Sequence, residues 1–184
     1  MGGVDKPLLD WHGKPMLQHV LGSVPAAMPK LISANRNLTS YAVYGQVITD
    51  AEAAEAAEAG HEFSGPLLGV FGGLKVATTD WLLVSPGDTP DLPSNWWQTM
   101  LDASPEAGPK EESETSNVVA HDGLRQQHLH LLLRVEETTL NSLRTYLRSG
   151  RFEVHRWLAT IKLQQAKFDN VAGFKNVNRP EDLP

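Results

Sequence analysis

The sequence predicts an α/β domain built on a mostly parallel, mixed sheet flanked by helices. Three observations carry this. In the first half, short apolar runs alternate with segments of helical character, the pattern of βαβ units. The run Trp81-Leu82-Leu83-Val84-Ser85 is nearly all apolar and stops at Pro86-Gly87-Asp88-Thr89-Pro90, as a strand buried on both faces would. In the second half two apolar runs flank Asp122-Gly123, a dipeptide that favours tight turns, so this pair is expected to run antiparallel. A length of 184 residues with 41% apolar and 21% charged side chains suits one domain over residues 1–184, with a core large enough to hold it.

The elements follow in order. Pro15 to Leu21 reads as a helix, with proline in its first turn and Gly22 near its end. Leu31 to Asn35 and Gln46 to Thr49 are short strands, the second ending at Asp50. Ala51 to Ala59 is alanine- and glutamate-rich, strongly helix-forming and expected to be a solvated surface helix. Gly65 to Gly69 reads as punctuation before a helix over Val70 to Ala77. Trp81 to Ser85 is the clearest buried strand. Ser94 is placed to cap a helix over Asn95 to Leu101. Ala103 to Ser116 is polar and acidic, a surface loop. Strands over Asn117 to His121 and His128 to Val135 precede helices over Glu136 to Ser149 and Phe152 to Thr160, with Gly150 closing the first. A last strand over Gln165 to Phe168 leads into the tail.

Composition excludes several functions. The net charge of −6 is wrong for a general nucleic-acid binder, which needs a basic surface to neutralise phosphates. The absence of cysteine removes disulfides, thiolate metal sites and cysteine nucleophiles. No apolar stretch is long enough to span a bilayer and no signal peptide is recognisable, so a cytoplasmic protein without membrane contact is expected. The seven histidines form no metal-ligand motif, and no Gly-x-Ser-x-Gly elbow supports a serine hydrolase. Trp96, Trp97 and Trp157 fall on helices, where packing is their default role.

Ligands of such sheets bind beyond the carboxyl ends of the strands. Asn35, Asp50 and Asp88 meet that condition. Asp88 sits in a constrained turn after an apolar strand. A carboxylate there can hold a Mg²⁺ ion that also carries phosphate oxygens, or can close an Asx-turn on its own backbone; both readings stay open. Gly2-Gly3-Val4-Asp5-Lys6 can end a phosphate-binding loop with Lys6 as its cation, or fray as chain termini do.

The order of the segments carries more than any one of them. Met1-Gly2-Gly3-Val4-Asp5-Lys6, Leu8-Leu9, Gly13-Lys14-Pro15 and His19-Val20 come first. Ser33-Ala34-Asn35-Arg36-Asn37, Val47-Ile48-Thr49-Asp50, Gly65-Pro66-Leu67 with Gly69, and Pro86-Gly87-Asp88-Thr89-Pro90 follow. His121-Asp122-Gly123, Arg125 and the closing Phe174-Lys175-Asn176-Val177-Asn178-Arg179-Pro180-Glu181-Asp182-Leu183 complete the series. In this order they resemble the molybdenum cofactor guanylyltransferases over nearly the whole chain. The resemblance implies a Rossmann-like nucleotidyltransferase fold and transfer of GMP from GTP to the phosphate of molybdopterin, with Mg²⁺ and release of pyrophosphate. It implies that Gly3 and Lys6 contact the GTP phosphates and that Asn35 and Asp50 hold the guanosine half. Asp88 resembles the Mg²⁺-binding aspartate, and with Lys6 makes up the catalytic pair. Arg125, Asn176 and Asn178 match the pterin side. Molybdoenzyme-maturation proteins are implied as partners.

Two departures bear on these expectations. The family's apolar first strand and Leu-Ala-Gly-Gly loop have no counterpart before Met1, so the chain reads as shortened at its N-terminus relative to the family. Gly87 stands where the family often has cysteine. The first departure predicts weak GTP binding and poor or absent turnover for Met1 to Pro184. Two other readings remain: a related molybdopterin cytidylyltransferase using CTP, and a catalytically silent nucleotide- or partner-binding domain.

Overall fold

A computed structural model of the chain describes residues 5–59, 65–104, 117–169, 172–178 and 182. After a 3₁₀ turn at Lys6–Leu8, a small antiparallel hairpin joins β1 (Asp10–Trp11) to β2 (Lys14–Pro15). Its corner residues His12 and Gly13 both have positive φ, 50° and 86°, as a tight hairpin turn requires. The periodicity of the sequence does not reveal this hairpin, because two-residue strands are too short to show alternation.

Helix α1 (Met16–Gly22) leads to β3 (Leu31–Ser33), α2 (Leu38–Ala42) and β4 (Gln46–Ile48). β3 and β4 pair in parallel and form a two-stranded sheet of their own. Helix α3 (Asp50–Ala57) opens with a capping box: Glu52 N–H donates to Thr49 Oγ1, and Thr49 N–H donates to Glu52 Oε2. The expectation of a merely solvated helix is corrected here. Ala53, Ala54 and Ala57 are buried in the main core, because alanine lets α3 approach α4 (Pro66–Val76) closely. α4 also begins earlier than expected, since Pro66 occupies the first turn, where a missing N–H costs nothing.

The second sheet has the order β5 (Trp81–Val84), β7 (Gln126–Arg134), β6 (Asn117–His121), β8 (Leu163–Lys167). β7 is antiparallel to both β5 and β6, while β6 and β8 are parallel. The sheet is therefore mixed and flanked by helices, as expected. The turn between β6 and β7 forms as read: Asp122 Oδ1 accepts from Leu124 N–H and Arg125 N–H, and Gly123 takes φ 96°. β5, expected to be the best-buried strand, is half-buried along its length and lies at the sheet edge. Ser94 does not cap α5 (Trp96–Asp102); Asn95 precedes it, and its carbonyl accepts from Gln98 N–H and Thr99 N–H.

Helices α6 (Glu137–Arg148) and α7 (Val154–Leu158) cover one face of this sheet with α4, around Phe71, Leu131, Leu133, Leu143 and Trp157. α5 covers the other, around Trp96, Met100, Val118, Leu132 and Phe174. Trp96 and Trp157 are thus core residues, as read. Helix α4 ties the two sheets together through three glycines. A Cβ at Gly69 would lie 2.4 Å from Ser33 Oγ on β3, one at Gly72 2.5 Å from Ile48 on β4, and one at Gly73 3.0 Å from Leu82 on β5. A compact backbone is what lets one helix seat on three strands.

Candidate active site

The carboxyl ends of β5, β6 and β8 lie at the same end of the second sheet, as their pairing requires. The turn after β5 carries Asp88, and the chain after β8 returns to it. Val177 N–H donates to the Asp88 carbonyl at 2.9 Å. Asn176 Nδ2 donates to Asp88 Oδ1 at 3.0 Å, and Lys6 Nζ donates to Asn178 Oδ1 at 3.0 Å. Three places far apart in sequence, Lys6, Asp88 and the Asn176–Asn178 segment, therefore form one cluster. Burial pushes the Asp88 carboxyl above its usual range, while the charge of Lys6 and the bond from Asn176 pull it down. A carboxylate in that state gains from a further cation.

Beneath the turn lies a buried layer. Thr89 Oγ1 donates to the Pro86 carbonyl at 3.0 Å and stands 3.4 Å from His130 Nε2. The His130 ring is 1% exposed and packs edge-on to Trp96 and Phe174. Burial alone lowers its pKa to about 3, so it is neutral at ordinary pH. His130 connects the turn holding Asp88 to the segment holding Asn176. Sequence spacing placed it only as one histidine of a strand and could not show this.

Asn35 and Asp50 also meet, but through structural bonds. Asn35 Oδ1 accepts from Asp50 N–H at 2.7 Å, and Asp50 Oδ2 accepts from Gly65 N–H at 3.1 Å. Asp50 is buried at the first turn of α3. The pair fixes the ends of β3 and β4 and the entry to α4. A neighbouring recess is lined by Asp5, Pro7, Ser33, Ala34, Asn35, Arg36 and Tyr41. Asp5 organises it: its carboxylate pairs with Arg36 at 3.5 Å and accepts from Asn37 Nδ2 at 3.1 Å. Burial and the nearby Asp5 together push the Tyr41 hydroxyl well up. Asp5 is one residue from Lys6, so this recess adjoins the Asp88 cluster along the chain. Asp5 and Arg36 were missed as site residues; their only signal was adjacency to Lys6 and Asn35.

Arg125 sits in the β6–β7 turn, and its charge acts on Asp122 and His128; no hydrogen bond or ion pair joins it to Asp88, Asn176 or Asn178 among the described residues. Gly3 lies outside the described residues. Among the described residues no group of three or more His, Asp or Glu side chains could hold a metal by itself. Nor is any described helix long and apolar enough to cross a membrane.

A mixed sheet between helices, with polar side chains gathered past its strand ends, is an α/β domain of the open-sheet class, whose ligands bind beyond the carboxyl ends of the strands. Solved structures of that class superpose on it. Molybdopterin-guanine dinucleotide biosynthesis protein A from Archaeoglobus fulgidus does so with a TM-score of 0.67 and 14% identity, over 98% of this chain and 87% of that one. A nucleotidyl transferase from Methanothermobacter does so with a TM-score of 0.66 and 15% identity, over 97% and 82%. The family model of the MobA-like NTP transferase domain matches residues 1–166. A molybdenum cofactor guanylyltransferase from Polynucleobacter asymbioticus is 35% identical over 184 residues, spanning all of this chain and 87% of that protein. The chain belongs to the molybdenum cofactor guanylyltransferase family, and so to the nucleotidyltransferases.

Proposed function

We propose that this protein transfers GMP from GTP to the phosphate of molybdopterin, with release of pyrophosphate, and that Asp88 holds the Mg²⁺ of the reaction. The observation that carries the reading is the closure of Asn176 and Asn178 onto Asp88 and Lys6. It brings a carboxylate and an ammonium group into one cluster, the two charges a metal ligand and a phosphate cation would supply. A pterin phosphate oxygen attacks the α-phosphorus of GTP. The bond from that phosphorus to the bridging oxygen breaks, and pyrophosphate leaves with the electron pair. The attacking oxygen is already ionised at neutral pH, so no strong general base is needed.

The donor set fits Mg²⁺, which takes one or two carboxylates and completes its shell with phosphate oxygens and water. When bound, the ion neutralises charge on the phosphates. Lys6 orients the phosphates and offsets their charge, while Asn176 holds the Asp88 carboxylate in place. The recess at Asn35, Arg36 and Asp5 receives the guanosine half. Molybdopterin approaches from the side of Asn176, Asn178 and Arg125, supplied in the cytoplasm or by a molybdoenzyme-maturation protein.

Incubation of the purified chain with labelled GTP, Mg²⁺ and molybdopterin tests the reading. Formation of the guanine dinucleotide, lost on addition of a chelator, is expected from the chain extended at its N-terminus by the family's first strand and Leu-Ala-Gly-Gly loop, with little or no turnover by Met1 to Pro184 alone. GTP binding without turnover in the extended chain would favour the silent domain, and a preference for CTP would favour the cytidylyltransferase reading.

A further inference from the structure

Strand β7 is irregular where it pairs with β6. The register runs through Val119↔Leu131 and then jumps to Ala120↔Gln127, so His128, Leu129 and His130 bulge from the ladder. A bulge re-aims side chains that regular pairing would simply alternate. His130 turns into the core, against Trp96 and Phe174. His128 stays exposed and meets the exposed His155 of α7, the ring centres 6.1 Å apart and the planes inclined by 31°. Both backbones are well anchored. Leu131, just beyond His128, and Trp157, just beyond His155, are fully buried, and the Glu153 carbonyl accepts from Arg156 N–H and Trp157 N–H.

These two rings have nitrogens to spare. His19 Nε2 bonds to the Trp11 carbonyl, His121 Nδ1 accepts from Gly123 N–H, and His130 Nε2 faces Thr89. His12 packs edge-on to Trp11. Among the described residues, His128 and His155 make no side-chain hydrogen bond or ion pair, and their ring contact is with each other. Zn–N bonds are about 2.0–2.1 Å long, so two imidazoles sharing one ion hold their ring centres about 5–6.5 Å apart. The separation found here lies in that range, and exposed side chains can rotate to aim a nitrogen at the space between. Burial, the neighbouring His155 and the charge of Arg125 lower the His128 pKa, which favours the neutral imidazole, the form that binds metals. The Arg125 charge also repels a cation, so it holds affinity below what the ligands alone would give.

We infer that His128 and His155 form a binding site for a divalent transition metal, which clips α7 to the bulge of β7. The two imidazoles supply two ligands, and water completes the shell. Imidazole suits Zn²⁺, Ni²⁺ and Cu²⁺, with Cu²⁺ the tightest of the three in the usual order of affinity. Hard Mg²⁺ takes oxygen ligands and is not held here. The site is therefore chemically separate from the Asp88 cluster, and the inference does not depend on GMP transfer. An ion at this place also ties down the bulge that carries His130. No spacing motif announces the pair, because one ligand lies on a strand and the other on a helix that only folding brings beside it.

The test titrates the full chain, free of any affinity tag, with Zn²⁺ at neutral pH, read by calorimetry and by the imidazole resonances in NMR. The His128 and His155 rings should shift together as Zn²⁺ is added, stay shifted in excess Mg²⁺, and saturate at one ion per chain for this site. Binding only to the folded chain should raise the melting temperature. His128→Gln and His155→Gln should each weaken Zn²⁺ at this site at least about tenfold, since even partners outside the ligand shell cost that much. Both side chains are exposed, so the metal-free melting temperature should not change. Arg125→Gln removes a positive charge that acts on His128 and should tighten binding, a gain that misfolding cannot mimic. Shifts at only one ring, affinity that survives either histidine substitution, or no gain in Arg125→Gln would each overturn the proposal. So would half an ion per chain, which would assign the metal to a bridge between copies, or no binding at millimolar Zn²⁺.

Discussion

Asp88 illustrates how single residues work in this protein. Its position after an apolar strand was readable, but not its partners. Asn176 and Lys6 convert a turn aspartate into a metal-ligand candidate whose burial is offset by a donor and a nearby cation. In the chain extended at its N-terminus by the family's first strand and loop, Asp88→Ala should reduce guanylyl transfer at least about 100-fold while the far-ultraviolet spectrum stays unchanged. Near-normal Mg²⁺-dependent turnover in that variant would remove Asp88 from the site. Asn35 and Asp50 call for a different expectation, because their polar atoms also hold backbone. Asn35→Ala and Asp50→Ala should each weaken GTP relative to ATP and CTP in calorimetric titrations, and should also lower stability by about 1–3 kcal/mol as buried N–H groups lose partners. A pure stability loss with base preference intact would confine them to scaffolding. His130 gives a pH signature. Its folded pKa, near 3, lies below its ordinary value of 6.5, so the unfolded chain binds the extra proton first. Its contribution is fully present above pH 6.5 and is lost as pH falls from there toward 3, with a slope approaching about 1.4 kcal/mol per pH unit. Denaturant midpoints between pH 7 and 4 should fall for the wild type and fall less for His130→Gln.

At the scale of elements, α4 matters most. Its glycines at 69, 72 and 73 allow it to lie against β3, β4 and β5 at once. Gly72 meets two other elements at once, because a Cβ would stand 2.5 Å from Ile48 Cγ2 and 3.4 Å from the Ala53 Cβ. Gly72→Ala removes a helix-interior glycine, worth about 1 kcal/mol by propensity alone. Overpacking of about 1–3 kcal/mol opposes it and should win, because both neighbours are held by their own elements. Chemical denaturation should therefore show a net loss; a gain would mean that α4 can move outward freely. The start of α4 was misplaced in the sequence because Gly65-Pro66 reads equally as a turn or as a helix entry. The β1–β2 hairpin escaped notice because its only marks are His12-Gly13 and the Asp10 carboxylate that accepts from Gly13 N–H. It is anchored by contacts that sequence distance conceals, with Trp11 Nε1 donating to Asp91 Oδ1.

For the whole molecule, the division into two sheets decides behaviour. A two-stranded sheet of three-residue strands is marginal by itself, and here it depends on α2 and α4, with Leu17 of α1 packed beside Ile32. An unpaired β5 edge made of Trp81, Leu82, Leu83 and Val84 is also a template for unwanted pairing. Light scattering during storage should rise with protein concentration, and a Leu83→Lys change at that edge should suppress the rise if the fold survives. Scattering unaffected by a folded Leu83→Lys variant would locate association elsewhere. The α/β class, the antiparallel strand pair, the order of helices and the family were legible in the sequence, because periodicity, turn chemistry and motif order are local properties. The gathering of Lys6, Asp88, Asn176 and Asn178 was not, since it joins residues up to 172 positions apart. Nor were the burial of α3 and the edge position of β5. Each depends on which surfaces meet, and an apolar strand reads the same whether its neighbour is present or not. Only packing in three dimensions decides whether its hydrogen bonds have partners.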